Sequence, residues 1–140
     1  MNIIFLDCDG VLNHRGCDFS TDVTPVDPAC VARAIRIARE GDAKFVVSSS
    51  WRYDDWRMIL VDRGIPGELL LDRTPLDRIT RGREITEWLD EHLVHAYVVL
   101  DDTTFDLGVH SERTVQTSMI TGLRDEHVEL ALTILRHGVA

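Results

Sequence analysis

Positive charge is in short supply in this chain. Of its 140 residues, 15 are Lys or Arg and 24 are Asp or Glu, a formal net charge of −9. That balance excludes the general basic footprint of a nucleic-acid-binding surface. It leaves room for a nucleic-acid end as substrate where a local basic patch or a metal ion offsets the field. Lysine is reduced to Lys44 alone, and the arginine excess reads as compositional bias rather than as phosphate recognition. No apolar run approaches the ~20 residues that span a bilayer. The opening Met1-Asn2-Ile3-Ile4-Phe5-Leu6 is too short for a signal-peptide core and has no basic lead-in, so a cytoplasmic protein with no membrane partner is expected. Cysteine is limited to Cys8, Cys17 and Cys30. The number is odd and CxxC spacing is lacking, so neither a disulfide framework nor a zinc site is expected. The six histidines show no ligand spacing. Internal repeats, low-complexity segments and domain linkers are also missing, and the length suits one domain over residues 1–140.

What is present is an alternation of short apolar runs and amphipathic stretches. Residues 2–6 read as a strand buried on both faces. Residues 13–26 carry no period and form a loop or flap. Asp27-Pro28 opens a helix, with Asp27 as N-cap, Val31, Ala34, Ile35 and Ala38 inward, and Gly41 as its stop. Residues 44–47 are a second strand, and a helix from Asp54 or Asp55 turns Trp56, Ile59 and Leu60 inward before Gly64. Leu69-Leu70-Leu71 is a third strand, and residues 72–81 are a loop. A helix follows from Gly82 to about His92. Residues 96–100 and 114–117 are strands four and five, and the last helix runs from Arg124 to His137. This order predicts an α/β fold: three layers, a doubly wound parallel sheet of about five strands, with right-handed crossovers. No insertion is long enough for a cap domain.

Acids and hydroxyls collect at the strand ends. The first strand stops at Asp7 and Asp9, which cannot stay in an apolar strand interior. The second stops at Ser48-Ser49-Ser50, the fourth at Asp101-Asp102. In a parallel sheet these ends share one edge, where ligands bind. Three or four carboxylates in one place need a counter-ion, and hard oxygen donors suit Mg²⁺. Trp51, Trp56 and Trp88 read as packing residues, Trp51 alone being placed to stack on a substrate.

The same residues resemble the haloacid dehalogenase-like (HAD) superfamily. Asp7-Cys8-Asp9-Gly10-Val11 is similar to motif I, DxDGx(V/T). The hydroxyl run after strand two resembles motif II, Arg81-Gly82-Arg83-Glu84-Ile85 resembles motif III, and Asp101-Asp102 resembles motif IV. Val47 to Arg52, Arg81 to Leu89 and Thr121-Gly122-Leu123 also resemble the small, capless HAD domains found with RNA-repair (polynucleotide kinase/phosphatase-like) proteins. The resemblance implies a Rossmann-like HAD fold and a phosphatase. It makes Asp7 the nucleophile that forms an aspartyl-phosphate, and Asp9 the general acid and then general base. It gives Mg²⁺ to the Asp7 carboxylate, the Asp9 backbone carbonyl and the motif IV acid. Asp102 is favoured as ligand because Asp106 completes a D-x-x-x-D spacing, with Asp101 beside it. It gives the phosphate to Ser49, by the Ser-Ser-Trp-Arg alignment, with Ser48 as runner-up, and to Arg81 or Arg83. Arg52 and His14 are further candidates for substrate contact.

The function expected is therefore a Mg²⁺-dependent phosphomonoesterase, whose open site suits a bulky substrate such as the 3′- or 5′-phosphate of a polynucleotide. A small-molecule or nucleotide phosphatase is the alternative. A non-enzymatic reading also exists, as a degenerate HAD binding module or as a phospho-acceptor receiver with Asp72 as acceptor. The receiver leaves Asp101-Asp102 unexplained and lacks its lysine after strand five.

Overall fold

The opening apolar run forms β1, Asn2–Leu6, the middle strand of a five-stranded, all-parallel sheet. The structure is a computed structural model that describes residues 1–76 and 79–138. After β1 the chain forms α1 (Pro28–Glu40), β2 (Ala43–Val47), α2 (Trp56–Asp62), β3 (Leu70–Arg73), α3 (Arg81–Asp90), β4 (Ala96–Asp101), β5 (Thr114–Gln116) and α4 (Asp125–His137). Short 3₁₀ turns cover Ser50–Tyr53, Gly67–Leu69 and Gly108–Arg113. In space the strands lie in the order β3-β2-β1-β4-β5. The expected doubly wound α/β architecture is present.

Alternation along the strands divides the core in two. Ile4 and Leu6 of β1 face a cluster with Cys30, Val31, Ala34 and Ile37 of α1, Leu60 of α2, and Val128, Ala131, Leu132 and Leu135 of α4. Ile3 and Phe5 face the other way, onto Ile85 and Trp88 of α3 and onto Leu107. The Trp88 ring meets Phe5 edge-on at 5.7 Å, the geometry an aromatic quadrupole favours. Each such side chain contributes about 1.5–3 kcal/mol of hydrophobic stabilisation at most. α1 turns a wider stripe inward than its period suggests: Cys30 and Ile37 are fully buried and Ile35 only partly, because α4 packs alongside it as well as the sheet.

Most element boundaries differ from the sequence reading by one or two residues, β3 and the start of α3 among them. β3 begins and ends later than residues 69–71, since Leu69 closes a 3₁₀ turn and a register shift lies between Phe45 and Val46 of its partner strand. Helix α3 starts one residue earlier, at Arg81, because the Thr80 hydroxyl accepts a hydrogen bond from the Arg83 N–H as an N-cap. The expected 72–81 loop is shortened to residues 74–80, of which Asp77 and Arg78 lie outside the described residues.

The strand order has a functional consequence. Successive crossovers run from β1 towards β3 on one side and towards β5 on the other, so the topological switch lies at the carboxyl ends of β1 and β4, the place for a ligand in such a sheet. It also removes the receiver reading, whose sheet order of 2-1-3-4-5 puts the third strand beside the first. Here β3 is an edge strand, and Asp72 accepts a hydrogen bond from the Trp88 indole at 2.8 Å. No described helix is long and apolar enough to cross a membrane.

Candidate active site

The parallel register builds the site. Leu6 pairs with Val47 on one side and Leu100 on the other. One residue further on, Asp7, Ser48 and Asp101 continue the three strands, with the Asp7 N–H donating to the Leu100 carbonyl (3.0 Å) and the Ser48 N–H to the Leu6 carbonyl (2.9 Å). Side chains alternate between faces, so these three fall on the face of Phe5, Val46 and Val99, towards α3. The first residue of α3 meets them there. The Arg81 guanidinium lies 2.7 Å from Asp101 and 3.6 Å from Asp7. Its place is fixed by Asp106, whose carboxylate accepts from the Arg81 N–H (3.2 Å) and whose carbonyl accepts from the Gly82 N–H (2.9 Å). Gly82 is required by close approach, since a Cβ there would sit 2.4 Å from the Leu107 carbonyl oxygen.

The electrostatics are those of a site short of positive charge. Burial, and then the Asp101 charge, push the Asp7 carboxyl well above its ordinary value, with Arg81 opposing. Burial and Asp101 also raise Asp102. Asp7, Asp101 and Asp102 each offer a carboxylate oxygen, all within 4.8 Å of one another. Asp102 reaches this position because residue 10 has no side chain: a Cβ on Gly10, whose φ is +79°, would lie 2.7 Å from the Asp102 carboxylate. Three hard, mutually repelling oxygen donors in one cradle fit a divalent cation of the Mg²⁺ type. Asp101 is already engaged by Arg81 and by the Thr103 N–H (3.1 Å), which leaves Asp102 the freer ligand. Asp106 holds the start of α3 rather than joining the cluster.

Asp9 stands apart from this trio. Its carboxylate accepts from the Asn13 side-chain amide (2.9 Å) and from the Trp51 indole N–H (3.3 Å). Its carboxylate is not one of the three that lie within 4.8 Å of one another.

The remaining predicted residues separate clearly. Ser49 is off the strand register; its hydroxyl accepts from the Trp51 N–H as the cap of the following 3₁₀ turn. Ser48 Oγ is buried without a hydrogen-bond partner, the condition of a hydroxyl waiting for one. Arg83 is exposed, and its backbone N–H donates to the Thr80 hydroxyl in the α3 cap. Arg52 is placed as a buried staple. It is 5% exposed and donates to both Glu84 oxygens (2.8 Å) and to the Ser48 and Ser49 carbonyls (3.1 and 3.0 Å). A substrate-facing arginine and a buried staple look alike in sequence. His14 is turned away from the carboxylates: Nε2 meets Asp27 at 2.7 Å and Nδ1 accepts from the Gly16 N–H. Trp51 is buried at 4% exposure, so it orients Asp9 instead of stacking on a substrate.

Residues that sequence reasoning passed over complete the site. Asn13 binds Asp9, the Gly10 N–H (2.9 Å) and the Pro25 carbonyl (2.9 Å), so it ties motif I to the flap. Thr117, just past β5, donates its hydroxyl to the Gly10 carbonyl (2.5 Å). Asn13 lies in the loop and Thr117 at the end of the expected fifth strand, and the partners of both come together only through the fold. Glu84 carried a signal, since a buried helix face seldom takes a carboxylate unless it is paired. A concavity of about 560 Å³ at the opposite edge of the sheet, lined by Met1, Asn2, Lys44 and Leu71 among others, holds none of these groups. Chemistry, not size, locates the site.

No curated protein and no solved structure gives a match to the chain. A family model described as the HAD domain in Swiss Army Knife RNA repair proteins matches residues 3–128, a span that contains all four motif-bearing segments. The chain belongs to that family of HAD domains.

Proposed function

We propose that the chain is a Mg²⁺-dependent phosphomonoesterase that works through an aspartyl-phosphate on Asp7. Family membership carries a phosphoryl-transfer role of the HAD type. The observation that supports the hydrolytic reading is the register that puts Asp7, Ser48 and Asp101 side by side against Arg81. Asp7 attacks phosphorus as the bond to the ester oxygen breaks. Asp9, held two residues away by Asn13 and Trp51, gives its proton to the leaving oxygen. It then takes a proton from the water that releases phosphate. Ser48 Oγ donates to a phosphate oxygen, which supplies its missing partner. Arg81 supplies charge to the same group. The Asp7 and Asp102 carboxylates with the Asp9 carbonyl would hold Mg²⁺, which when bound offsets the phosphate charge that spreads in the transition state.

The segment between β1 and α1 holds no helix or strand, and that between β2 and β3 only α2 and two 3₁₀ turns. Among the described residues nothing of domain size covers the carboxyl edge, which favours a bulky phosphate ester, and we take the phosphorylated end of a polynucleotide as the substrate class. The test is hydrolysis of p-nitrophenyl phosphate and of matched 3′- and 5′-phosphorylated RNA and DNA oligonucleotides. Turnover is expected with Mg²⁺ and is abolished by chelation or by Asp7→Asn. Wild-type protein inert with Mg²⁺ across the panel overturns the enzyme reading. Turnover of aryl phosphate and mononucleotides alone moves the substrate to the small-molecule class.

A further inference from the structure

The flap that separates motif I from α1 is bracketed by two donor pairs of one spacing. His14-Arg15-Gly16-Cys17 opens it, and Asp27-Pro28-Ala29-Cys30 closes it into the first turn of α1. Each is a donor-x-x-Cys pair whose first member is not cysteine, so a search for CxxC passes over both. The fold brings them together: His14, Asp27 and Cys30 each offer a ligand atom within 4.8 Å of the others. Cys30 is fully buried, and His14 and Asp27 are half-buried. The Cys17 N–H donates to the His14 carbonyl (3.0 Å), which closes the turn; the Cys17 thiol is not one of the three groups that lie within 4.8 Å of one another.

A helix cap with a histidine partner explains only part of this. Asp27 Oδ1 accepts from the Ala29 N–H (2.9 Å), and Oδ2 meets His14 Nε2 (2.7 Å). That pairing accounts for two groups; the thiol beside them packs in the core cluster of α1. Cys30 Sγ reaches only towards the Leu123 and Thr121 carbonyls, at 3.5 and 3.9 Å. Full burial excludes it as a nucleophile, which must be accessible. It does not exclude it as a metal ligand.

We propose that His14, Asp27 and Cys30 form a Zn²⁺ site that fastens both ends of the flap to α1, with Cys17 drawn in as the fourth, tetrahedral ligand when the ion binds. One imidazole, one carboxylate and two thiolates are a zinc donor set and are too soft for Mg²⁺. The ion replaces the proton shared by His14 and Asp27, while Oδ1 of Asp27 keeps its cap. The histidine proton then resides on Nδ1, so the Gly16 bond is exchanged, and the thiols release their protons on loading. Because Asn13 precedes His14 and holds Asp9, the site also steadies the flap side of the carboxylate edge. The proposal does not rest on the phosphatase reading.

The test uses the full chain, reduced, stripped with chelator and titrated with Co²⁺ and then Zn²⁺. One Co²⁺ per chain is expected, with a thiolate-to-cobalt charge-transfer band in the near ultraviolet that Zn²⁺ removes and excess Mg²⁺ does not. Asp102→Asn keeps the band, which separates this site from the carboxylate trio. Cys30→Ser, His14→Gln and Cys17→Ser each weaken Zn²⁺ binding by about tenfold or more. His14→Gln alters a half-buried position outside the core, so its loss of binding with an unchanged far-ultraviolet circular dichroism spectrum cannot be unfolding. A wild-type chain without the band, or a band that survives Cys30→Ser or His14→Gln, overturns the site. Unchanged affinity in Cys17→Ser overturns the four-ligand set.

Discussion

At the residue scale the site turns on Asp7, a carboxylate in a place that penalises its charge. Its raised value comes first from burial and then from Asp101. The sign follows: a carboxyl whose folded value exceeds its ordinary 3.8 contributes stability that is fully present below that value and is lost as pH rises through the folded one. In chelator, therefore, Asp7→Asn should unfold at higher urea than wild type at neutral pH. The difference should shrink under mildly acidic conditions and on addition of Mg²⁺. Urea titrations at two pH values check this, and an Asp7→Asn protein less stable than wild type in chelator at neutral pH contradicts it. The two serines give a second prediction. Ser48→Ala removes a donor to the phosphate and should lower kcat/KM by about 100-fold. Ser49→Ala removes a cap and should cost stability, about 1 kcal/mol, with little change in rate. Steady-state kinetics beside denaturation curves separate the two. The sequence motif favours Ser49 and the register favours Ser48, because a motif alignment does not know on which side of the sheet a residue emerges.

At the element scale the fold was legible wherever burial and period agree. β1 and β4 carry continuous apolar runs, Ile3–Leu6 and Val98–Leu100, because helices cover both faces, and α1 carries both its stripe and its Asp27-Pro28 start. β3 was less legible, since an edge strand of four residues with Leu71 37% exposed has neither a continuous apolar run nor a clean alternation. The least legible feature joins two elements: the Arg52–Glu84 pair, both partners about 95% buried, which clamps the end of β2 to α3. Glu84→Gln leaves the arginine charge buried with its carboxylate gone and should cost about 3–5 kcal/mol. The double variant Arg52→Met/Glu84→Leu removes both charges and should recover most of that. Activity should not recover with it, because the Arg52 bonds to the Ser48 and Ser49 carbonyls are also lost. Thermal denaturation and kcat on the same samples test the split. If activity returns together with stability, Arg52 is a stability element only and does not position Ser48.

At the scale of the whole molecule, a net charge of −9 is set against the polyanionic substrate proposed above. The carboxylate trio adds to that field, and among the groups that approach it Arg81 is the principal cation. A nucleic-acid enzyme with a basic groove loses affinity as salt rises, because binding releases counter-ions from the phosphate backbone. Here the long-range term has the opposite sign: the protein repels the backbone, and only the terminal phosphate meets compensating groups. Salt screens the repulsion over about 10 Å at 0.1 M, while Arg81, about four-fifths buried, is screened less. At fixed Mg²⁺, kcat/KM for a phosphorylated oligonucleotide should therefore rise as monovalent salt is increased from a low level. That for p-nitrophenyl phosphate, which has no polyanionic tail, should stay nearly flat. The ratio of the two rates isolates the backbone term from any effect of salt on the chemistry. A ratio that falls with salt would mean that a basic path on the surface guides the polynucleotide, and the arginines at the carboxyl edge, Arg83 first, would be the residues to change.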